Sequence, residues 1–231
     1  LAHEGLARLL QLDKSLQAPC IAFSDSFESS EDLTLGGSIK IGKSIALPPR
    51  PLGLDSSKAP YLQLSDEIAV LDNASSLNPE KLIEIASCFR SEGSYSRLIY
   101  TPAVEPSDMP ILAYLGVDVF DDLNVELRST TGWSLDGGSW IKSKMKVKDL
   151  QSQNRKELER WILKIRNSIM NGTLRELVET TSLHNPRVSQ ILYHSTSLLI
   201  EKGARRNAAI RANNLSLSHP SVVAFQQRLS D

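Results

Sequence analysis

Between Ile68 and Asp121 the chain repeats one grammar: a short apolar run, a helix, a second run, a second helix, a third run. The first run, Ile68–Leu71, gives way to Asp72 and Asn73 and then to Asn78, Pro79 and Glu80. A cap residue followed by proline in the first turn starts a helix. That helix is expected to reach about Glu92, because Leu82, Ile83, Ile85, Ala86 and Phe89 recur at helical spacing and Gly93 stands where a helix stops. A strand is expected at 97–100, then a segment punctuated by Pro102, Pro106 and Pro110, a short apolar helix ILAYLG, and a strand at 117–120. Apolar runs joined by helices pair in parallel, which predicts an α/β fold. Loops at the carboxyl edge of such sheets build their sites. Asp72, Thr101 and Asp121 each follow an apolar run directly and are the edge residues to examine.

The flanks read differently. Residues 6–23 contain two short apolar runs separated by DKSLQAP, which predicts strands joined by a turn. Residues 24–65 are rich in Gly and Pro, with short strands expected within SIKIGKSIAL (38–47). Beyond Gly138 the pattern becomes helical, with Leu158, Trp161, Ile162, Ile165 and Ile169 as one stripe and Asn171-Gly172 as its stop. A second helix is expected from about Thr173, with a break at Asn185-Pro186 before a third, and Ser218 and Pro220 start a last short one. This divides the chain into an α/β part, 1–138, and a basic helical part, 139–231, that completes it.

The division coincides with a change of charge. Residues 1–138 hold 10 Lys and Arg against 20 Asp and Glu, whereas 139–231 hold 16 against 7, so a net charge of −1 hides two opposed halves. A polyanionic partner such as nucleic acid fits this pattern; a solvated helical surface, or a match between the halves themselves, fits it too. The cations singled out are Lys142, Lys144, Lys146 and Lys148, which would share one face if the run were a strand, and Arg205 and Arg206, for which helix-end capping is the alternative. With 41% hydrophobic and 23% charged residues the composition is that of a globular domain, without the uninterrupted apolar stretch that a membrane span requires. The opening LAHEGLARLLQLDK is broken by Glu4, Arg8 and Asp13, and the protein is expected to be cytoplasmic, with no membrane partner. Cys20 and Cys88 are far apart and read as small buried hydrophobes.

No Walker loop, GxGxxG or HExxH occurs, and the pairs Gly36-Gly37 and Gly137-Gly138 lack the neighbours of a phosphate cradle. His3, His184, His194 and His219 form no ligand spacing and read as surface or capping residues. The strongest local candidate is GVDVFDD (116–122), a strand ending in adjacent carboxylates, of which at most one can face a site. A solvated strand boundary is the plain alternative.

The run LIYTPAVEPSDMPILAYLGVDVFDD (98–122) resembles the part of the tRNA-guanine transglycosylase superfamily in which a proline-rich loop and a short helix lead to a strand ending in Phe-Asp. In that superfamily the Asp attacks the ribose carbon as the base leaves, and the position corresponds to Asp121. Within the superfamily, AHEGLARL (2–9), GTLRELVE (172–179) and SLSHPSVVAFQQRL (216–229) resemble motifs of archaeosine synthases, in the same order. The resemblance implies a reduced or incomplete TIM-barrel-like, transglycosylase-like domain followed by C-terminal helices. The chain is short for a full eight-fold barrel, which takes about 250 residues.

The departures shape the expectation. Transglycosylases carry a zinc site of three cysteines and one histidine after the nucleophile strand, but residues 123–160 contain neither residue type, so no zinc or other cofactor is expected. The TDSGGFQ-like loop with a second aspartate is also missing, and Asp72 in VLDNASS stands in a roughly similar place. Autonomous base exchange therefore ranks last. The resemblance implies instead a subunit of a transferase that joins lysine to the nitrile of preQ0 at position 15 of archaeal tRNA. Its partners would be that tRNA, a second subunit carrying the remaining catalytic and PUA domains, and a radical SAM enzyme that releases archaeosine. Asp121 would position the base, or be vestigial in a non-catalytic tRNA-binding and assembly module; a shortened piece of a longer chain would look the same as a natural subunit.

Overall fold

The computed structural model describes residues 5–12, 16–23, 27–28, 38–41, 45–47, 61–63, 68–71, 74–91, 98–183 and 185–202. The first elements are β1 (Leu10–Gln11), β2 (Gln17–Ala18) and β3 (Cys20–Ala22). Then come β4 (Phe27–Glu28), β5 (Ser38–Ile41), β6 (Ile45–Leu47) and β7 (Tyr61–Gln63). The repeating middle supplies β8 (Ile68–Leu71), α1 (Pro79–Ser91), β9 (Leu98–Thr101), α2 (Met109–Tyr114) and β10 (Val119–Asp121). After it come α3 (Leu123–Thr130), the hairpin of β11 (Trp133–Asp136) and β12 (Ser139–Lys142), and the helices α4 (Val147–Asn171), α5 (Leu174–Ser182) and α6 (Pro186–Lys202).

The expected parallel arrangement is present. One sheet has the order β3-β10-β9-β8-β7, in which β8, β9, β10 and β3 run parallel and β7 joins antiparallel at the edge. Strand parity sorts its two faces. Val119, Tyr100, Val70, Cys20 and Ala22 cluster on one side, with Leu12, Leu16 and Ile68 packed against them. Phe120, Ile99, Ala69, Leu71 and Ile21 point to the other and join the main core built with the helices. Asp121, two residues from Val119, falls on the smaller face. The antiparallel pairs β1–β2 and β5–β6 agree with the strands expected at 6–23 and 38–47.

Buried apolar residues recur along α4 at steps of three and four: Leu150, Leu158, Trp161, Ile162, Ile165 and Ile169 form its inner stripe. Each such side chain contributes about 1.5–3 kcal/mol on full burial. The single polar member, Asn154, is fully buried and fully engaged. Its amide nitrogen donates to Ser129 Oγ and to the Trp133 carbonyl, both at 2.8 Å, and its oxygen accepts from Leu135 N at 2.7 Å. Asn154 thereby fastens α4 to α3 and to the hairpin.

That hairpin turns at Gly137-Gly138, whose φ values of 55° and 87° are those of a two-residue turn that only glycine enters without strain. The position where the charge balance changes sign is thus the turn of a hairpin, and one apolar core continues across it. The first three helices expected after Gly138 are found as α4, α5 and α6, including the break between α5 and α6 at Asn185-Pro186. The final short helix expected from Ser218 lies outside the described residues.

Candidate functional site

The carboxyl edge of β9 and β10 carries a buried carboxylate held by three donors. Tyr100 and Asp121 share a face on neighbouring strands, and the Tyr100 hydroxyl donates to Asp121 Oδ2 at 2.7 Å. The backbone N–H groups of Ala103 and Leu123 donate to Oδ1 at 2.8 and 3.3 Å. Ala103 adopts φ 52°, a left-handed conformation unusual for a residue with a side chain, so the turn after β9 is bent back toward the carboxylate. Burial pushes the Asp121 carboxyl up to about 6, against the opposing pull of these hydrogen bonds. A group titrating there can hold or release a proton near neutrality. At 1% exposure, however, Asp121 offers almost no surface to a reacting molecule in this arrangement. Beside it Thr101 Oγ1 is buried without a hydrogen-bond partner among the described residues.

The adjacent carboxylate turns elsewhere. Asp122 lies 3.4 Å from Arg155 of α4, which also donates to Glu126 at 2.6 Å and lies 5.8 Å from the Phe23 ring centre. One strand behind, Arg8 makes a two-pronged contact with Asp118, at 2.8 and 3.0 Å, and Asp118 also accepts from Ile99 N. Both partners are buried, so removing either would strand a charge in the core. Gly5 comes so close to the Tyr114 carbonyl that a Cβ there would collide with it, and Leu6 N donates to the same oxygen at 2.8 Å. A third clamp joins Asp108, before α2, to Arg187 and Asn185 at the start of α6. Burial raises the Asp108 carboxyl despite the Arg187 charge. Glu105 goes the other way: burial opposes ionisation, but hydrogen bonds from Trp140, Asn124 and Arg128 hold it below the ordinary carboxylate range.

Two clefts flank α4. A groove of about 710 Å³ separates it from the hairpin, with Lys142, Met145, Ser152, Gln153, Lys156 and Arg160 among its lining. The second, about 460 Å³, is lined by Glu126, Lys148, Gln151, Ser152, Arg155, Lys156 and Glu159. Neither reaches Asp121.

No protein-family model matches the chain. Over 173 residues, 74% of this chain, it is 28% identical to the archaeosine synthase of Methanocaldococcus jannaschii, of which the match covers 30%. It is 24% identical over 174 residues, 72% of this chain, to the archaeosine synthase subunit alpha of Thermoplasma acidophilum, of which the match covers 34%. The chain carries an archaeosine synthase-like region. It spans about a third of the length of the curated relatives it matches.

Within this archaeosine synthase-like region the sequence-derived candidates separate. Asp121 and Thr101 end their strands as expected, whereas Asp72, Arg205 and Arg206 lie outside the described residues. Lys142, Lys144, Lys146 and Lys148 are all exposed, but they do not share the face of one strand. Lys142 ends β12 opposite Trp133, where β11 begins, so residues beyond it have no strand to pair with. It donates to the Thr131 carbonyl and rests over the Trp133 ring at 5.0 Å. Lys146 is the extended residue preceding α4, and Lys148 is already in the first helical turn. Cys20 is buried, with its thiol pushed up to about 12 by burial, but Cys88 is exposed on α1, contrary to expectation. His194 stacks edge-on against Tyr193, and the other histidines lie outside the described residues.

Zinc does not fit here. Residues 123–160, where the superfamily's zinc ligands follow the nucleophile strand, contain no cysteine or histidine, and among the described residues no group of metal-ligating side chains converges. Nor is any helix among the described residues long and apolar enough to cross a membrane. The clamps Arg8–Asp118 and Asp108–Arg187 escaped sequence reading because their partners are separated by 110 and 79 positions. For Arg8 alone a signal existed, its place in the AHEGLARL motif.

Proposed function

We propose that this chain is the transglycosylase-like part of an archaeosine synthase, a cytoplasmic tRNA-modifying transferase. It acts with a companion polypeptide that carries the remaining catalytic and PUA domains, on preQ0 at position 15 of tRNA. The similarity to archaeosine synthase over 74% of the chain carries this reading. The sheet supports a reduced barrel, since β3, the earliest of the parallel strands, pairs with β10, the latest, as the first and last strands of a barrel do. In this reading Lys142, Lys144, Lys146 and Lys148 contact tRNA, Arg205 and Arg206 extend that contact, and Asp121, with Asp72, positions the base.

A second reading, a tRNA-binding and assembly module with a decayed site, is favoured by the three donors and 1% exposure that close Asp121 off. One reconstitution separates the two. With labelled lysine and preQ0-containing tRNA, the chain alone should bind tRNA without transfer, and label should enter tRNA only when the companion is added. A rate cut tenfold or more by Asp121→Asn, with tRNA affinity unchanged, supports positioning; an unaltered rate supports the decayed module. Equal transfer by the companion alone would remove this chain from the reaction.

A further inference from the structure

Along α4, Lys148, Lys156, Arg160 and Lys164 are separated by multiples of four residues. With 3.6 residues per turn, such positions stack into a ridge that winds slowly along one side of the helix, rising about 6 Å for every four residues. All four side chains are exposed. Among the described residues Lys148, Lys156 and Lys164 have no carboxylate within ion-pair distance, Lys164 lying over the Trp161 ring at 5.0 Å. Arg160 pairs with Glu157 at 3.2 Å yet keeps 77% of its side chain exposed. The ridge borders the 710 Å³ groove, where Lys142 approaches from the hairpin and Ser152 and Gln153 add neutral donors. Asp136, Asp149 and Glu157 also line that groove, so phosphates are favoured on the ridge and uncharged sugar hydroxyls in the groove.

We infer that this ridge and groove form a track for a ribose-phosphate backbone of RNA. The inference rests on the tRNA-binding reading above and extends it from the 142–148 run onto α4. A row of exposed cations, three of them without an ion-pair partner among the described residues, meets a row of phosphates, and each neutralised phosphate releases counterions.

The test compares tRNA-transcript binding by the full chain, by Lys156→Gln/Arg160→Gln/Lys164→Gln, and by Lys81→Gln/Arg175→Gln, which removes charge from α1 and α5. At roughly 0.1 M salt the ridge variant should bind tenfold or more weakly, and its dependence of log Kd on log salt should be shallower by about 2 to 3. The α1/α5 variant should be unchanged, as should the helical circular dichroism of both. Lys156→Arg/Lys164→Arg should bind like the parent. Unchanged binding by the ridge variant, while Lys142→Gln/Lys144→Gln/Lys146→Gln/Lys148→Gln weakens it, would overturn the track and leave the tRNA reading standing. Equal losses in the ridge and α1/α5 variants would reduce the effect to net charge and overturn it too. So would retained tRNA affinity with lost capture of the companion polypeptide, which would make the ridge a protein-docking face. Failure of the parent chain to bind tRNA at all would defeat both readings.

Discussion

At Asp121 two demands conflict: burial favours the neutral carboxyl, while hydrogen bonds from Tyr100, Ala103 and Leu123 favour the carboxylate. Burial prevails, and the group titrates at about 6 instead of 3.8. Because the folded value is the higher one, the protonated form stabilises the fold. That contribution is complete below the ordinary carboxylate value and is lost as pH rises through 6. Asp121→Asn removes the titration. Between pH 4 and pH 7.5 the parent should lose up to about 3 kcal/mol of stability relative to the variant, read from urea unfolding of both. A difference that stays constant with pH would contradict the assignment.

At the scale of elements, α4 is joined to the hairpin by one buried amide. Replacing Asn154 with Ala leaves the Leu135 N–H without its acceptor and should cost about 1–3 kcal/mol. Hydrogen exchange should then quicken across β11 and β12 more than across β9 and β10. The helix itself was legible, because Leu158, Trp161, Ile162, Ile165 and Ile169 state the period in full. α1, α2 and the three central strands were legible for the same reason, each being punctuated by proline or a cap. The hairpin was not recognised, although Trp133 and Leu135 alternate with polar residues before Gly137-Gly138, a two-residue turn signal that could have revealed it. The lysine run misled in the opposite direction. Its alternation has a strand period, but pairing needs a neighbour, and the neighbour ends at Trp133. At the candidate site, Asp121 could be placed at a strand end from sequence; its closure by Tyr100 and the bent turn at Ala103 could not, since both depend on which strands become neighbours.

For the molecule as a whole, the acidic and basic halves share a core in which Leu6, Ile99 and Phe120 join Trp161, Ile165 and Val178. They should unfold together. Far-ultraviolet and near-ultraviolet circular dichroism should report one coincident denaturant midpoint; two separated transitions would show that the halves fold independently. The opposed charges are accordingly a property of two surfaces on one body.

The pairing of β3 with β10 also sets an order of events during biosynthesis. Arg8 and Asp118, 110 positions apart, cannot meet until the ribosome has delivered all of the intervening polypeptide. The central repeats can form meanwhile from contacts close in sequence. The seam bearing Asp121 is therefore expected to knit after the central repeats, and the segment bearing Arg8 waits for it with its apolar residues uncovered, which makes that interval one in which a chaperone matters.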